Sequence, residues 1–171
     1  MFMKKEKLEN FFRKNLKNKK IFFIIIIFLL DISSKFLINV FFQNVICLRI
    51  FSFLNIVLVH NEGIAFGLLS NLPKWKIFFI CGINFFFLFI ILVNTNIEKK
   101  NSVFKIVNLE YELIFGGAIG NFFERIFFKK VTDFIDFHIN EYHFPTFNLA
   151  DTFIFIGIFI ILYKNFLQKK L

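Results

Sequence analysis

The chain has 171 residues and a formal charge of +9, yet 57% of its residues are hydrophobic and 32 are phenylalanine. With a mean hydropathy of +0.68, it is too apolar for a soluble domain of this size, and a membrane protein is expected. The two cysteines, Cys47 in a loop and Cys81 in an apolar run, are poorly placed to pair, which argues against a disulfide framework or redox motif.

In chain order, residues 1–20 form a basic arm with eight Lys and Arg, and residues 21–42 form a first apolar span containing Asp31 and Lys35. Those two stand i, i+4 on one helix face, where they can form a salt bridge inside a bundle. A basic arm before an apolar run also describes a secretory signal peptide. Here the run continues past Asp31 and Lys35, and no small-residue cleavage site follows. Residues 46–60 are rich in β-branched and aromatic types and predict short strands. They lead into Asn61-Glu62-Gly63-Ile64-Ala65-Phe66-Gly67, where small residues let the backbone approach a neighbour closely.

Residues 77–93 give a second apolar span and 106–123 a third, with Glu110 and Glu112 near its start, expected at a water-facing end. Gly116, Gly117, Ala118 and Gly120 near the end of the third span permit tight helix contact in lipid. Residues 147–163 form a fourth span with Asp151 near its start. The fold expected is an α-helical polytopic membrane protein. It has four transmembrane helices, with a small β-sheet and a short extra segment on the outer face. Residues 21–171 make one domain, and no internal repeat or linker divides it.

Lys and Arg are concentrated in the arm, in the link at 99–105 and in the tail, while the two opposite loops hold five, at Arg49, Lys74, Lys76, Lys129 and Lys130. By the positive-inside rule both termini are cytoplasmic. The excess of positive charge is then mostly topology, with attraction to anionic membrane lipid, and gives no reason to invoke nucleic acid.

Two acids beside hydrophobic runs carry the chemistry: Asp133 in Val131-Thr132-Asp133-Phe134-Ile135-Asp136-Phe137, and Asp151 in Phe147-Asn148-Leu149-Ala150-Asp151. A carboxylate at a helix centre in a bilayer costs roughly 2.5–3.5 kcal/mol on insertion scales, so its retention signals function. The topology puts both at one depth. A facing pair that cannot both ionise supplies an acid and a base at one pH, enough for water to attack an amide. The only alanines are Ala65, Ala118 and Ala150, each inside a segment expected to line the site. His60, His138 and His143 lack a helical zinc-binding spacing and are expected as surface or interfacial residues.

These segments, with Asp31-Ile32-Ser33-Ser34-Lys35 and the stretch from Gly116 to Arg125, resemble in order and spacing the lipoprotein signal peptidase family, signal peptidase II. The resemblance implies a membrane aspartic endopeptidase of the bacterial inner membrane, with its active site near the outer leaflet. Its substrate would be a diacylglyceryl-modified prolipoprotein, cut just before the lipidated cysteine, without metal or cofactor; a monomer is expected. By position, Asp133 and Asp151 resemble the catalytic dyad. Asn61, Gly63, Asn121, Arg125, Asn148 and Ala150 resemble the residues around it, with Asp31 and Lys35 as support. The chain departs from the family pattern at Glu124, where the family has Asp, and at Lys129, where Gly is common and where the turn must be built differently.

Two other classes fit parts of the pattern. A small proton- or ion-coupled membrane subunit would use Asp31, Lys35 and Asp151 as a relay. A magnesium-dependent transferase would use the carboxylates as ligands. The relay gives no reason for Asn61, Asn148 and the small residues to accompany the acids.

Overall fold

The computed structural model describes residues 2–62 and 109–168, with side chains for 19–62 and 109–168. The expected span at 77–93, Gly63 and Ala65 lie outside the described residues.

Helix α1 covers Phe2–Phe41, so the basic arm and the first span form one continuous helix. Helix α2 covers Leu109–Phe128 and helix α3 covers Leu149–Gln168. The segments Lys19–Phe41 and Leu149–Leu167 are long and apolar enough to cross a membrane. Their large apolar side chains face outward: Phe22, Leu29, Phe36 and Phe41 on α1, and Phe155, Phe159, Leu162 and Phe166 on α3, are all exposed. The polar groups face inward, since Asp31, Lys35, Asn121, Glu124, Arg125 and Asn148 are buried. Such an inversion fits a chain whose solvent is lipid, where polar groups must find partners inside the protein.

Helix α2 packs against both α1 and α3. Its contact face depends on glycine. A Cβ on Gly117 would stand 2.5 Å from the Ala150 carbonyl oxygen, and one on Gly120 would collide with the Asp31 carboxylate. Backbone contact this close is what small residues provide between helices in lipid.

The expected water-facing position of Glu110 and Glu112 is corrected by the structure. Both are buried, at 4% and 3% exposure. Glu110 accepts from Lys164 of α3 at 2.7 Å, and Glu112 lies 3.7 Å from Lys20 of α1. A carboxylate inside a bundle needs a cation, and here the neighbouring helices supply it.

A four-stranded antiparallel sheet completes the described fold, in the order β1 (Cys47–Phe51), β2 (Leu54–Asn61), β3 (Val131–Ile139), β4 (Tyr142–His143). The first two strands occupy the segment expected to be extended. The third falls on the Asp133 motif, for which no strand was expected. Its alternation of Val131, Asp133, Ile135 and Phe137 with Thr132, Phe134 and Asp136 suits a pleated strand buried on both faces. The register sets Asp133 opposite Val59 and Asp136 opposite Asn55.

Between α2 and β3 the chain turns at Lys129, whose φ is 62°. This left-handed conformation favours glycine, and it is how the turn is built at the position where the resemblance led to Gly. The Lys129 ammonium donates to the Ile126 carbonyl at 3.0 Å, satisfying one of the orphan acceptors at the helix end.

Candidate active site

The site forms where the start of α3 meets β3 and the inner faces of α1 and α2. Asn148 is the N-cap of α3: its side-chain oxygen accepts the Asp151 backbone N–H at 3.0 Å, and the Asp151 carboxylate accepts the Asn148 N–H at 3.4 Å. This reciprocal pair is a capping box. It places Asp151 in the first turn, where unpaired backbone N–H groups and the helix dipole favour a carboxylate.

The Asn148 amide has two donors left, and both point into the site. One goes to Asp133 Oδ1 at 2.6 Å and the other to Asn121 Oδ1 at 3.2 Å. Asn121, from α2, donates in turn to Asp151 Oδ1 at 2.8 Å. Asn61, at the end of β2, donates to Asp133 Oδ2 at 3.0 Å. Two carboxyls 18 positions apart in sequence are thus joined through shared amides.

Beneath them lies an ionic support. Lys35 Nζ donates to Asp31 at 2.7 Å and to Asn121 Oδ1 at 2.8 Å, and pairs with Glu124 at 3.2 Å, so its three N–H bonds each have a partner. The other Asp31 oxygen accepts the Ala150 N–H at 2.9 Å. Ala150 is fully buried, its carbonyl facing Gly117.

Glu124, at the position where the resemblance led to Asp, is fully engaged. Its carboxylate accepts both the Thr132 backbone N–H and the Thr132 hydroxyl, each at 2.9 Å, while meeting Lys35 on the other side. It ties α2 to the residue immediately before Asp133. Asn39 bonds the Thr132 hydroxyl at 2.9 Å and lies 2.8 Å from His60 Nε2.

Asp133 is 3% exposed. Burial pushes its pKa from the ordinary aspartate value up to about 6; the Asp151 charge adds to the rise, and the bonds from Asn61 and Asn148 oppose it. A carboxyl whose pKa is raised towards neutrality, beside a second carboxyl, can donate a proton while its neighbour accepts one.

Of the residues expected at the site, Asp31, Lys35, Asn61, Asn121, Asn148, Ala150, Asp133 and Asp151 are brought into one bonded network. Arg125 is buried on α2 beside Glu124, and Gly63 lies outside the described residues. Asn39 and Thr132 were missed. Asn39 had a signal, since Asp31, Lys35 and Asn39 recur every four residues along an apolar helix.

Apolar helices around buried ionic groups, with two amide-linked carboxyls where a small sheet meets the bundle, define a membrane enzyme of the aspartic type. The chain belongs to the signal peptidase II family, whose model, described as "Signal peptidase (SPase) II", matches residues 23–167. It is 46% identical over 146 residues to a lipoprotein signal peptidase of Buchnera aphidicola subsp. Acyrthosiphon pisum (strain Tuc7), covering 84% of this chain and 88% of that one. It is 37% identical over 150 residues to one of Coxiella burnetii (strain RSA 493 / Nine Mile phase I), covering 85% and 91%. Its fold is similar to that of a bacterial membrane enzyme solved by the in meso method at 2.3 Å resolution. The TM-score is 0.70 at 27% identity, over 89% of this chain and 90% of the other.

Proposed function

We propose that Asp133 and Asp151 are the catalytic pair with which this signal peptidase removes signal peptides from diacylglyceryl-modified prolipoproteins, cutting just before the lipidated cysteine. The observation that carries this reading is the Asn148 side chain, which donates to Asp133 and caps the backbone of Asp151 at once. In the proposed reaction Asp133, pushed up to about 6 by burial, holds the proton the pair shares. Asp151 takes a proton from water as its oxygen attacks the scissile carbonyl carbon. Asp133 gives its proton to the carbonyl oxygen as the tetrahedral diol forms. Asp151 then passes the water's proton to the amide nitrogen, the C–N bond breaks with the amine leaving, and a diol hydroxyl returns its proton to Asp133 as the product carboxyl forms. Asn61, Asn121 and Asn148 orient the two carboxyls, while Asp31, Lys35, Glu124 and Arg125 support them from below.

The proposed setting has four transmembrane helices, residues 77–93 giving the second, and both termini on the cytoplasmic side of a bacterial inner membrane. The sheet and the carboxyl pair lie at the outer leaflet, where a lipidated substrate enters sideways from the bilayer. The enzyme acts as a monomer. Gly63 belongs to the segment that approaches the substrate backbone.

The test is cleavage of a diacylglyceryl-modified prolipoprotein and its unlipidated form by the purified protein and by Asp133→Asn and Asp151→Asn. Cleavage of the lipidated form alone, abolished in either folded variant, is the expected result. Unreduced turnover in either variant would remove that residue from the pair.

A further inference from the structure

Asp136 stands three residues beyond Asp133 on β3, on the opposite face of the strand, and takes no part in the carboxyl network. It is nonetheless buried, and both its oxygens are used. One accepts from Asn55 Nδ2 of β2 at 2.9 Å, the other from His143 Nδ1 of β4 at 2.7 Å. A single carboxylate thus fastens three strands, with Asn55 directly opposite it in register.

The strands need that fastening at this place. The β2–β3 ladder is broken by an irregularity between Ile56 and Val59, and β4 is only two residues long. Beyond β4 the chain returns along β3 through a few backbone bonds. The Phe144 N–H donates to Phe137 at 2.8 Å, and the Phe147 N–H to Ile135 at 3.1 Å. The Phe147 carbonyl accepts from Phe134 and Ile135 at 3.0 and 2.8 Å. The next residue is Asn148. Whatever sets the register of this return therefore sets where Asn148 and Asp151 stand against Asp133. The His143 ring is further positioned by a near-parallel stack on His138, centroids 4.8 Å apart, and His138 is itself anchored by its Nδ1 to the Asn140 carbonyl at 3.1 Å.

We propose that Asp136 and His143 form a clasp that fixes the return from β4 to α3, making them positioning residues for the hydrolysis through Asn148 and Asp151. The proposal rests on the reading of Asp133 and Asp151 as the catalytic pair. Neither clasp residue touches either carboxyl of that pair. Their contribution is registration, and small displacements of a catalytic group lower turnover without abolishing substrate binding.

The experiment measures kcat and KM on a lipidated prolipoprotein for the parent, His143→Ala, His143→Asn, Asp136→Ala and the Ala/Ala double variant. Asp133→Asn and Asp151→Asn serve as controls. An asparagine at 143 returns a donor close to the imidazole Nδ1 position, whereas alanine does not. His143→Ala should lower kcat by roughly ten- to a hundredfold with KM unchanged, and His143→Asn should regain most of it. The double variant should be no worse than Asp136→Ala, since both remove one interaction. Hydrogen exchange at the Phe144 and Phe147 amides should quicken in His143→Ala and slow again in His143→Asn. Should Asp136→Ala fail to fold, the two His143 variants decide the matter. Full kcat in His143→Ala, equal losses in Ala and Asn, or losses that multiply in the double variant would overturn the clasp. Retained turnover in Asp133→Asn or Asp151→Asn would instead overturn the catalytic pair, while the exchange rates still report on the clasp.

Discussion

Asn148 donates to Asp133 at 2.6 Å from the residue that starts the helix bearing Asp151. One side chain thus serves as a helix cap and as the bridge between two carboxyls. The two roles separate by substitution. Asn148→Ala should lose about 1–2 kcal/mol of stability with the cap, and turnover should fall about a hundredfold as the carboxyls lose their common reference. Asn148→Ser keeps a capping oxygen but not the amide donor, so thermal unfolding should recover while turnover stays low.

Lys35 is 1% exposed and meets two carboxylates and one amide. Lys35→Met removes the cation that Asp31 and Glu124 share while leaving both buried acids in place. Breaking a buried pair from one side costs about 3–5 kcal/mol, because the remaining charge is uncompensated. Denaturation in detergent should show a loss of that order.

Gly120 faces the Asp31 carboxylate with no room for a Cβ. Gly120→Ala must push α1 from α2 or displace Asp31 from the Ala150 N–H, at a cost of about 1–3 kcal/mol for overpacking. Turnover should fall with it, since Ala150 adjoins Asp151. Unchanged melting and turnover would show that the helices can separate freely here.

Asp133 ties stability to pH. Its pKa is raised to about 6 in the folded protein, so between the ordinary aspartate value and about 6 the folded state holds a proton that the unfolded state has lost. Stability from this group is complete at low pH and falls as pH rises through that window, by on the order of 2–3 kcal/mol. Asp133→Asn should therefore melt higher than the parent at pH 7.5. The gap should close as pH falls towards 4, in unfolding curves recorded across the range.

Lys129 adopts a φ of 62° that a β-carbon disfavours. Lys129→Gly should relieve that cost and raise stability by up to about 1 kcal/mol, less whatever the bond to Ile126 contributes. A fall in melting temperature would show that the side-chain bond outweighs the backbone strain.

The parts of the site that were legible in the sequence are those governed by local geometry. Asp31 and Lys35 stand one turn apart on a helix, so their 2.7 Å contact follows from the helix repeat. Asp151 stood out as an acid near the start of an apolar run, whereas the capping contacts between Asn148 and Asp151 came from the structure. The β3 strand was passed over because Asp133, read as a site residue, masked an alternation that also describes a strand. Glu110 and Glu112 were expected to face water because their partners, Lys164 and Lys20, come from other helices.

What the sequence by itself determined is a membrane chain whose polar residues are few enough to be noticed and spaced so that local pairs must meet. Backbone periodicity is enough to settle that. Only the tertiary structure decided which groups share bonds across elements: Lys35 with Asn121 and Glu124, Asn148 with Asp133, and Asp136 with both Asn55 and His143. A buried polar group needs a partner wherever it lies. Which partner it finds depends on how closely the glycines let α2 approach its neighbours and on the register of β3, and these are set by packing between segments far apart in the chain.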